Sequence, residues 1–223
     1  MILEKLISVI APYTCISCGY EGALVCAWCA PEMRTPLPSR CYRCKSLTQD
    51  FRVCKNCARH SALRHVWVST TYEGLAKDIT SSFKFERVQG AARVIAEQLA
   101  EILPYLSKET LIVPVPSATR RTRQRGYDHT ALLGKELSKL TGLHYMQTLG
   151  RLDQTRQVGA TRQQRLTQLQ GSFYVKQPLL VKRSDVVLVD DIVTTGGTIE
   201  AAAVTLKAAG ARSVSAVVFA QKT

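Results

Sequence analysis

The chain is 223 residues long and 46% hydrophobic, with 30 Lys and Arg against 17 Asp and Glu, a net charge of +13. That length allows one medium domain or two small ones, and that apolar share excludes a disordered tail protein. No apolar run reaches the roughly 18 residues of a spanning helix, which excludes membrane insertion, while the basic excess asks for an anionic partner.

Met1–Ile10 reads as a short amphipathic segment, with Ile2, Leu3, Leu6, Ile7 and Ile10 at helical spacing. Glu4 and Lys5 interrupt it and no A-x-A site follows, so it is not a signal peptide and the expected location is cytoplasmic. Eight cysteines then fall in four C-x-x-C pairs: Cys15/Cys18, Cys26/Cys29, Cys41/Cys44 and Cys54/Cys57. In a reducing compartment such pairs suggest metal rather than disulfides. One C-x-x-C turn aims two thiolates at one ion, and two turns complete a tetrahedral zinc site. The simplest assignment is sequential, Cys15, Cys18, Cys26 and Cys29 on one zinc and Cys41, Cys44, Cys54 and Cys57 on the other. An interleaved cross-brace is the alternative. Closed four-cysteine sites fold a segment rather than catalyse, so two structural zinc ions are expected, with His60 and His65 left as surface or packing residues.

Past residue 62 the cysteines stop. Val66–Tyr72 alternates as a strand. Val88–Leu103 carries a helical stripe ended near Pro104, and Leu111–Val115 is a short buried strand. Thr130–Leu140 reads as a helix stopped by Gly142, Val186–Val189 as an apolar strand, Ile199–Ala209 as an Ala-rich helix and Val214–Phe219 as a last apolar strand. Continuous apolar strands alternating with helices predict a parallel sheet covered on both faces. Residues 1–62 are therefore expected to form a zinc-ribbon module and 63–223 an α/β domain packed directly on it.

The charge divides unevenly. Residues 66–184 hold 18 basic and 9 acidic side chains, whereas 185–223 hold 3 and 4. Arg120, Arg121, Arg123 and Arg125 make the densest run, and Arg151, Arg156, Arg162 and Arg165 form a second set.

The stretch that carries chemistry is Val186–Thr198, V-V-L-V-D-D-I-V-T-T-G-G-T. A strand runs into two acids, then a loop of small residues, then a helix, the place where parallel sheets bind ligands. Thr194–Thr198 offers hydroxyls and backbone N–H groups at a helix N-terminus, which cradle a phosphate. Two carboxylates beside that loop would repel a phosphate but suit the hydroxyls of a vicinal diol. Phosphate at one end and diol at the other describe a ribose 5-phosphate.

This pattern resembles the signature of type I phosphoribosyltransferases, which bind 5-phosphoribosyl-1-pyrophosphate (PRPP). Four C-x-x-C pairs, Phe83-Lys84-Phe85, Val113-Pro114-Val115-Pro116, Arg125-Gly126-Tyr127 and the loop, in that order, resemble the ComF family over nearly the full length. Many members read Arg-Gly-Phe-Asn-Gln where this chain has Arg125-Gly126-Tyr127-Asp128-His129. The resemblance implies a type I phosphoribosyltransferase fold behind a double zinc ribbon. It also implies a cytoplasmic protein that handles single-stranded DNA in natural transformation, with DNA-uptake and recombination proteins as partners. Asp190 and Asp191 would bind the ribose hydroxyls and act in catalysis, and Thr194, Thr195, Gly196, Gly197 and Thr198 would bind the 5-phosphate. Pro114–Arg121 would form the pyrophosphate loop, with Arg120 or Arg121 as the cation beside Mg²⁺ and Lys84 facing the same cleft. Val158–Gln170 resembles the lid that closes over PRPP.

Two functions follow. One is an Mg-dependent transferase passing ribose 5-phosphate from PRPP to an acceptor the sequence does not name. The other is a single-stranded nucleic-acid binder with a PRPP site, in which Arg123, Arg125, Arg156, Arg162 and Arg165 track the phosphate backbone and Tyr42 and Phe51 stack on bases.

Overall fold

The computed structural model describes residues 13–34, 37–85, 88–152 and 171–222, and the backbone alone at 85 and 119–121. A five-stranded sheet organises the chain. Its strands are β1 (Leu63–Thr71), β2 (Leu111–Pro114), β3 (His144–Tyr145), β6 (Asp185–Val193) and β7 (Ser213–Gln221), in the spatial order β1-β7-β6-β2-β3 with every pair parallel. Two further strands, β4 (Leu149–Arg151) and β5 (Phe173–Val175), pair antiparallel outside it.

Strand β6 shows why the sheet takes helices on both sides. Val186, Val187, Leu188 and Val189 are all at most 2% exposed. Successive side chains of a strand point to opposite faces, so an unbroken apolar run needs two cores. Val186 and Leu188 pack in one core with Ile199, Ala202 and Leu206 of a helix spanning Gly197–Ala208. Val187 and Val189 pack in the other with Phe83, Ile95, Leu99, Leu133 and Leu137. Those residues come from α1 (Gly74–Phe85), α2 (Ala91–Ile102) and α4 (His129–Thr141). Between β2 and α4 lies the two-turn α3 (Thr119–Arg125), and the Gly197–Ala208 helix is α5.

The expected parallel sheet and its helices are present, with three differences. Helix α1, Gly74–Phe85, contains the Phe83-Lys84-Phe85 string and is an element the sequence pattern does not predict. The arginine run is helical, not a continuation of the loop after β2. The apolar strand does not stop at Val189 but continues through both acids, because β7 is long enough to pair with it as far as Val193↔Gln221.

The cysteine-bearing segment has little regular structure. Its knuckles close on single antiparallel bridges, Thr14↔Glu21 and Arg40↔Leu47, and a third, Arg52↔His65, joins it to β1. That last bridge covers the sheet's open edge strand. Leu24 and Met33 of the first half join the core on the α1 side, whereas Cys41, Tyr42 and Val53 of the second half join the core on the α5 side. The cysteine segment thus straddles the β1 edge. No helix among the described residues is long and apolar enough to cross a membrane.

Candidate functional site

The alternation of β6 carries on into the acids and separates them. Asp190 continues the row of Val186 and Leu188 on the α5 face, and Asp191 the row of Val187 and Val189 on the α1 and α4 face. Asp191 is 3% exposed. Its Oδ2 forms an ion pair with Lys84 of α1 and lies 3.3 Å from Nε2 of His129, the first residue of α4. Burial alone would raise the Asp191 acid, but the Lys84 ammonium and then His129 hold it well below the usual carboxylate range. Asp190 is only partly covered by surface area, and its Oδ1 accepts the Asp191 N–H at 2.9 Å. Burial of the carboxyl and the adjacent Asp191 charge push Asp190 well above the carboxylate range. One acid is ionised and anchored, and its neighbour is the one that favours a proton or a new hydrogen-bond donor.

His129 is itself fixed. Its Nδ1 lies 3.0 Å from Nη1 of Arg125 and 3.1 Å from Oγ of Ser117. Arg125 can only donate, so Nδ1 accepts, and Nε2 is left to carry the proton toward Asp191. Asp128 caps α4, its Oδ1 accepting the Thr130 N–H at 3.2 Å and the Ser117 hydroxyl at 3.2 Å. The Tyr127 hydroxyl donates to the Phe83 carbonyl, which locks α1 and Lys84 to this corner. The Tyr-Asp-His string that departs from the common Phe-Asn-Gln thus has a contact for each residue.

Beyond Val193 the chain turns through Thr194 and Thr195, both exposed, to Gly196 at φ +78°, the N-cap of α5. The first N–H groups of a helix have no partner within it, and the helix dipole adds partial positive charge there. Only glycine suits position 196. The left-handed backbone disfavours other residues, and a Cβ would lie 2.4 Å from the ring of Tyr42. Tyr42 is 4% exposed, and its hydroxyl donates to Oε2 of Glu200, one turn into α5. Glu200 also accepts the Ser61 hydroxyl and the Ala62 N–H, each at 2.7 Å, and lies 3.9 Å from Arg43. Burial and then Glu200 push the Tyr42 phenol up, so it stays a donor.

The cysteines form two sequential groups, Cys15, Cys18, Cys26 and Cys29, and Cys41, Cys44, Cys54 and Cys57, with the sulfurs of each group within 4.8 Å of one another. Of the two connectivities open in the sequence, the coordinates take the sequential one. Within the second group the Ser46 hydroxyl draws Cys44 down to about 6, while burial and the neighbouring thiols Cys54 and Cys44 push Cys57 up to about 12. Four thiols this close cannot all ionise alone, and a divalent cation would relieve that crowding, so each group could hold a zinc ion.

The structure therefore gathers Asp190, Asp191, Lys84 and the loop 194–198 around the C-terminal end of β6. Strand β2 is its neighbour, with Pro114 opposite Val189 and the Val115 N–H donating to the Val189 carbonyl at 3.0 Å, so the segment leading to Arg120 and Arg121 starts beside the acids. The side chains of Arg120 and Arg121 are not described. Arg123 is exposed, whereas Arg125 is engaged with His129. Arg156, Arg162, Arg165 and the expected lid lie outside the described residues. Tyr42 is buried on Gly196, and Phe51 is partly buried against both cores. The sequence assigned no role to His129 or Glu200, and it placed Tyr42 among base-stacking aromatics, not behind the loop. Their signals were a C-x-x-C spacer containing an aromatic and an acid in the first turn of the loop's helix.

A phosphoribosyl transferase domain model matches residues 136–223. Competence protein ComFC of Streptococcus pneumoniae (strain ATCC BAA-255 / R6) is 28% identical over 187 residues, covering 83% of this chain and 77% of that protein. Among solved structures, an allosteric regulatory enzyme of purine biosynthesis is 20% identical with a TM-score of 0.42 over 59% of this chain. The glutamine PRPP amidotransferase from B. subtilis complexed with ADP and GMP is 17% identical with the same TM-score and the same share of this chain. This chain spans 26% of the length of each of those two. The paired four-cysteine groups set ahead of a phosphoribosyl transferase domain match, with ComFC aligned across most of both lengths, fit the double zinc ribbon and phosphoribosyltransferase domain that the sequence resemblance to the ComF family implied.

Proposed function

We propose that this chain binds PRPP with Mg²⁺ at the end of β6 and uses that site in a cytoplasmic protein that handles single-stranded DNA during natural transformation. The observation that carries the PRPP reading is the acid pair on β6 running into a glycine-centred loop at the N-terminus of α5. In this reading Thr194–Thr198 takes the 5-phosphate, and Asp190 accepts from the ribose hydroxyls on its open side. Asp191 keeps Lys84 and His129 in place beneath them. Arg120 or Arg121 and Mg²⁺ meet the pyrophosphate. Zinc in the two cysteine groups is structural, and the chain divides into 1–62 and 63–223. The competence role rests on the ComFC alignment and the single-stranded DNA role on the family resemblance and the +13 charge. Arg123, with Arg156, Arg162 and Arg165, supplies cations for that strand.

Calorimetric titration of PRPP into the zinc-loaded protein, with and without Mg²⁺, tests the site. Saturable binding that Asp190→Asn abolishes is expected. Equal affinity in the variant would remove the assignment. A gel-shift series with single-stranded DNA at rising salt tests the second half, since contacts to backbone phosphates weaken steeply with salt. A flat response would refute it.

A cavity of about 220 Å³ between the second cysteine group and β1, lined by Leu37, Arg40, Tyr42, Phe51, Val68 and Gln221, favours keeping transferase turnover as a second reading, since Tyr42 also packs on Gly196. An acceptor there would attack C1 as pyrophosphate leaves. Charge developing on the ribose would be met by the acids, and charge on the leaving group by Arg and Mg²⁺. Release of pyrophosphate in the presence of candidate acceptors decides it.

A further inference from the structure

We propose that Tyr42 and Glu200 are positioning residues that make the shape of the phosphate-binding loop depend on the metal held by the second cysteine group. The inference rests on the PRPP reading for its consequence, but not for its structural content.

Tyr42 sits inside a metal knuckle, between Cys41 and Cys44. The knuckle's backbone is tight. The Lys45 N–H donates to the Cys41 carbonyl and the Cys41 N–H to the Ser46 carbonyl, each at 2.9 Å, and Lys45 adopts φ +62°. A non-glycine residue in the left-handed region persists only where its surroundings over-determine it. Four thiolates on one cation would do that. Without the cation the same four sulfurs repel, and the knuckle that aims Tyr42 loses its tie.

The ring so aimed forms the wall behind Gly196. Its hydroxyl, the Ser61 hydroxyl and the Ala62 N–H all end on the one carboxylate of Glu200. Glu200 lies in the first turn of α5, and its N–H donates to the Gly196 carbonyl at 2.9 Å. The loop is thus held from outside by a ring against its glycine and by three donors on the turn that follows. Those donors come from residue 42, inside the second cysteine group at 41–57, and from residues 61 and 62, just after its last cysteine. Among the described residues the first group has no such link to the loop. Leu24 and Met33 beside it pack on the opposite face of the sheet, with Phe83 and Ile79. Loss of metal from the second group should loosen the loop, and disturbance of the first should not.

The test uses the full zinc-loaded chain. Amide hydrogen exchange is followed at 194–200 without PRPP, and PRPP affinity by calorimetry. Tyr42→Ala should speed exchange of the loop amides roughly ten- to hundredfold, the range for losing a hydrogen bond to a charged group. Protection in α2 and metal content should stay unchanged, and PRPP affinity should fall by a similar factor. Trp28→Ala, at an exposed position of the first group, should change neither reading. If Tyr42→Ala loses its metal, Tyr42→Phe and Glu200→Gln decide, since the first removes the donating hydroxyl and the second the carboxylate charge that its three donors share, while both leave the knuckle's own bonds. Loop exchange that is unchanged in metal-retaining variants overturns the proposal. A wild-type chain that shows the exchange effect but does not bind PRPP overturns the PRPP reading and leaves the coupling standing.

Discussion

Asp191→Asn should cost stability before it costs ligand. The Lys84 side chain is 17% exposed and that of Asp191 5%, so removing the carboxylate charge strands an ammonium in a largely closed place. Breaking a buried pair from one side costs about 3–5 kcal/mol, and the residual access of Lys84 to water places this case near the lower end, about 3. In a chain of this size 1 kcal/mol moves the melting temperature by about 2–4 °C, so a drop of roughly 6–12 °C is expected. Lys84→Met alone leaves an unpaired carboxylate beside His129 and should cost a similar amount. The double variant removes both charges and should recover about 2 kcal/mol of the summed loss, because contacting residues couple at about 0.5–3 kcal/mol. Circular dichroism melts of the four proteins at neutral pH close the cycle. If Asp191→Asn melts within 1–2 °C of wild type, or the two losses simply add, the Lys84–Asp191–His129 cluster is not the anchor of this corner, and the division of roles between the two acids fails with it.

The neighbouring acid should behave in the opposite way. Asp190 is raised, so its stabilising, protonated form is lost as pH climbs through that raised value. Asp190→Asn should therefore raise the neutral-pH melting temperature while abolishing PRPP binding, and a variant that is destabilised would refute the reading. Asp191 is lowered, so its contribution is present above the ordinary carboxylate range and lost as pH falls through the lowered value. Acid unfolding of Lys84→Met should accordingly set in at higher pH than in wild type, with an unchanged midpoint counting against it. Gly196→Ala should cost about 1–3 kcal/mol by urea unfolding, from the left-handed backbone and the Tyr42 ring together. A cost below about 0.5 kcal/mol would mean that the ring yields freely. Metal analysis of protein purified without chelator should give two zinc ions per chain, and a chain without metal would refute the structural-zinc reading.

Much of this was legible in the sequence because it is local. Four apolar residues in a row, Val186–Val189, announce a strand buried on both sides. C-x-x-C repeats announce groups that could hold a metal, and T-T-G-G-T after two acids announces a glycine-centred turn into a helix. What was not legible is long-range pairing. Lys84 and Asp191 are 107 residues apart, and Tyr42 and Glu200 are 158 apart. Neither periodicity nor spacing ties such pairs together. Helix α1 carries a weak signal, Leu75, Ile79 and Phe83 at every fourth residue, with Gly74, Thr80 and two serines among the rest of its positions. Tyr42 was read as a surface aromatic because the void that accepts it, left by the missing side chain of Gly196, exists only after folding.

The charge that first suggested an anionic partner also has a direction once the fold is known. Residues 37–62 carry six basic side chains against Asp50 alone, whereas 13–34 carry Arg34 against Glu21 and Glu32. Four thiolates around one divalent cation leave each cysteine group with about −2. The loaded second group therefore stays positive while the first turns negative, and the two pack on opposite faces of the sheet. The positive group shares its face with α5 and sets Tyr42 against Gly196 of the loop. An anion drawn by the long-range field would be led to the face where that loop is held, and away from the face where Trp28, 90% exposed, stands beside the acidic group. Placing a buried aromatic at the join of a basic metal knuckle and a glycine loop thus serves two ends from one residue. It fills the space that Gly196 must leave open for backbone reasons, and it sets the module's positive side next to the place where a phosphate would bind.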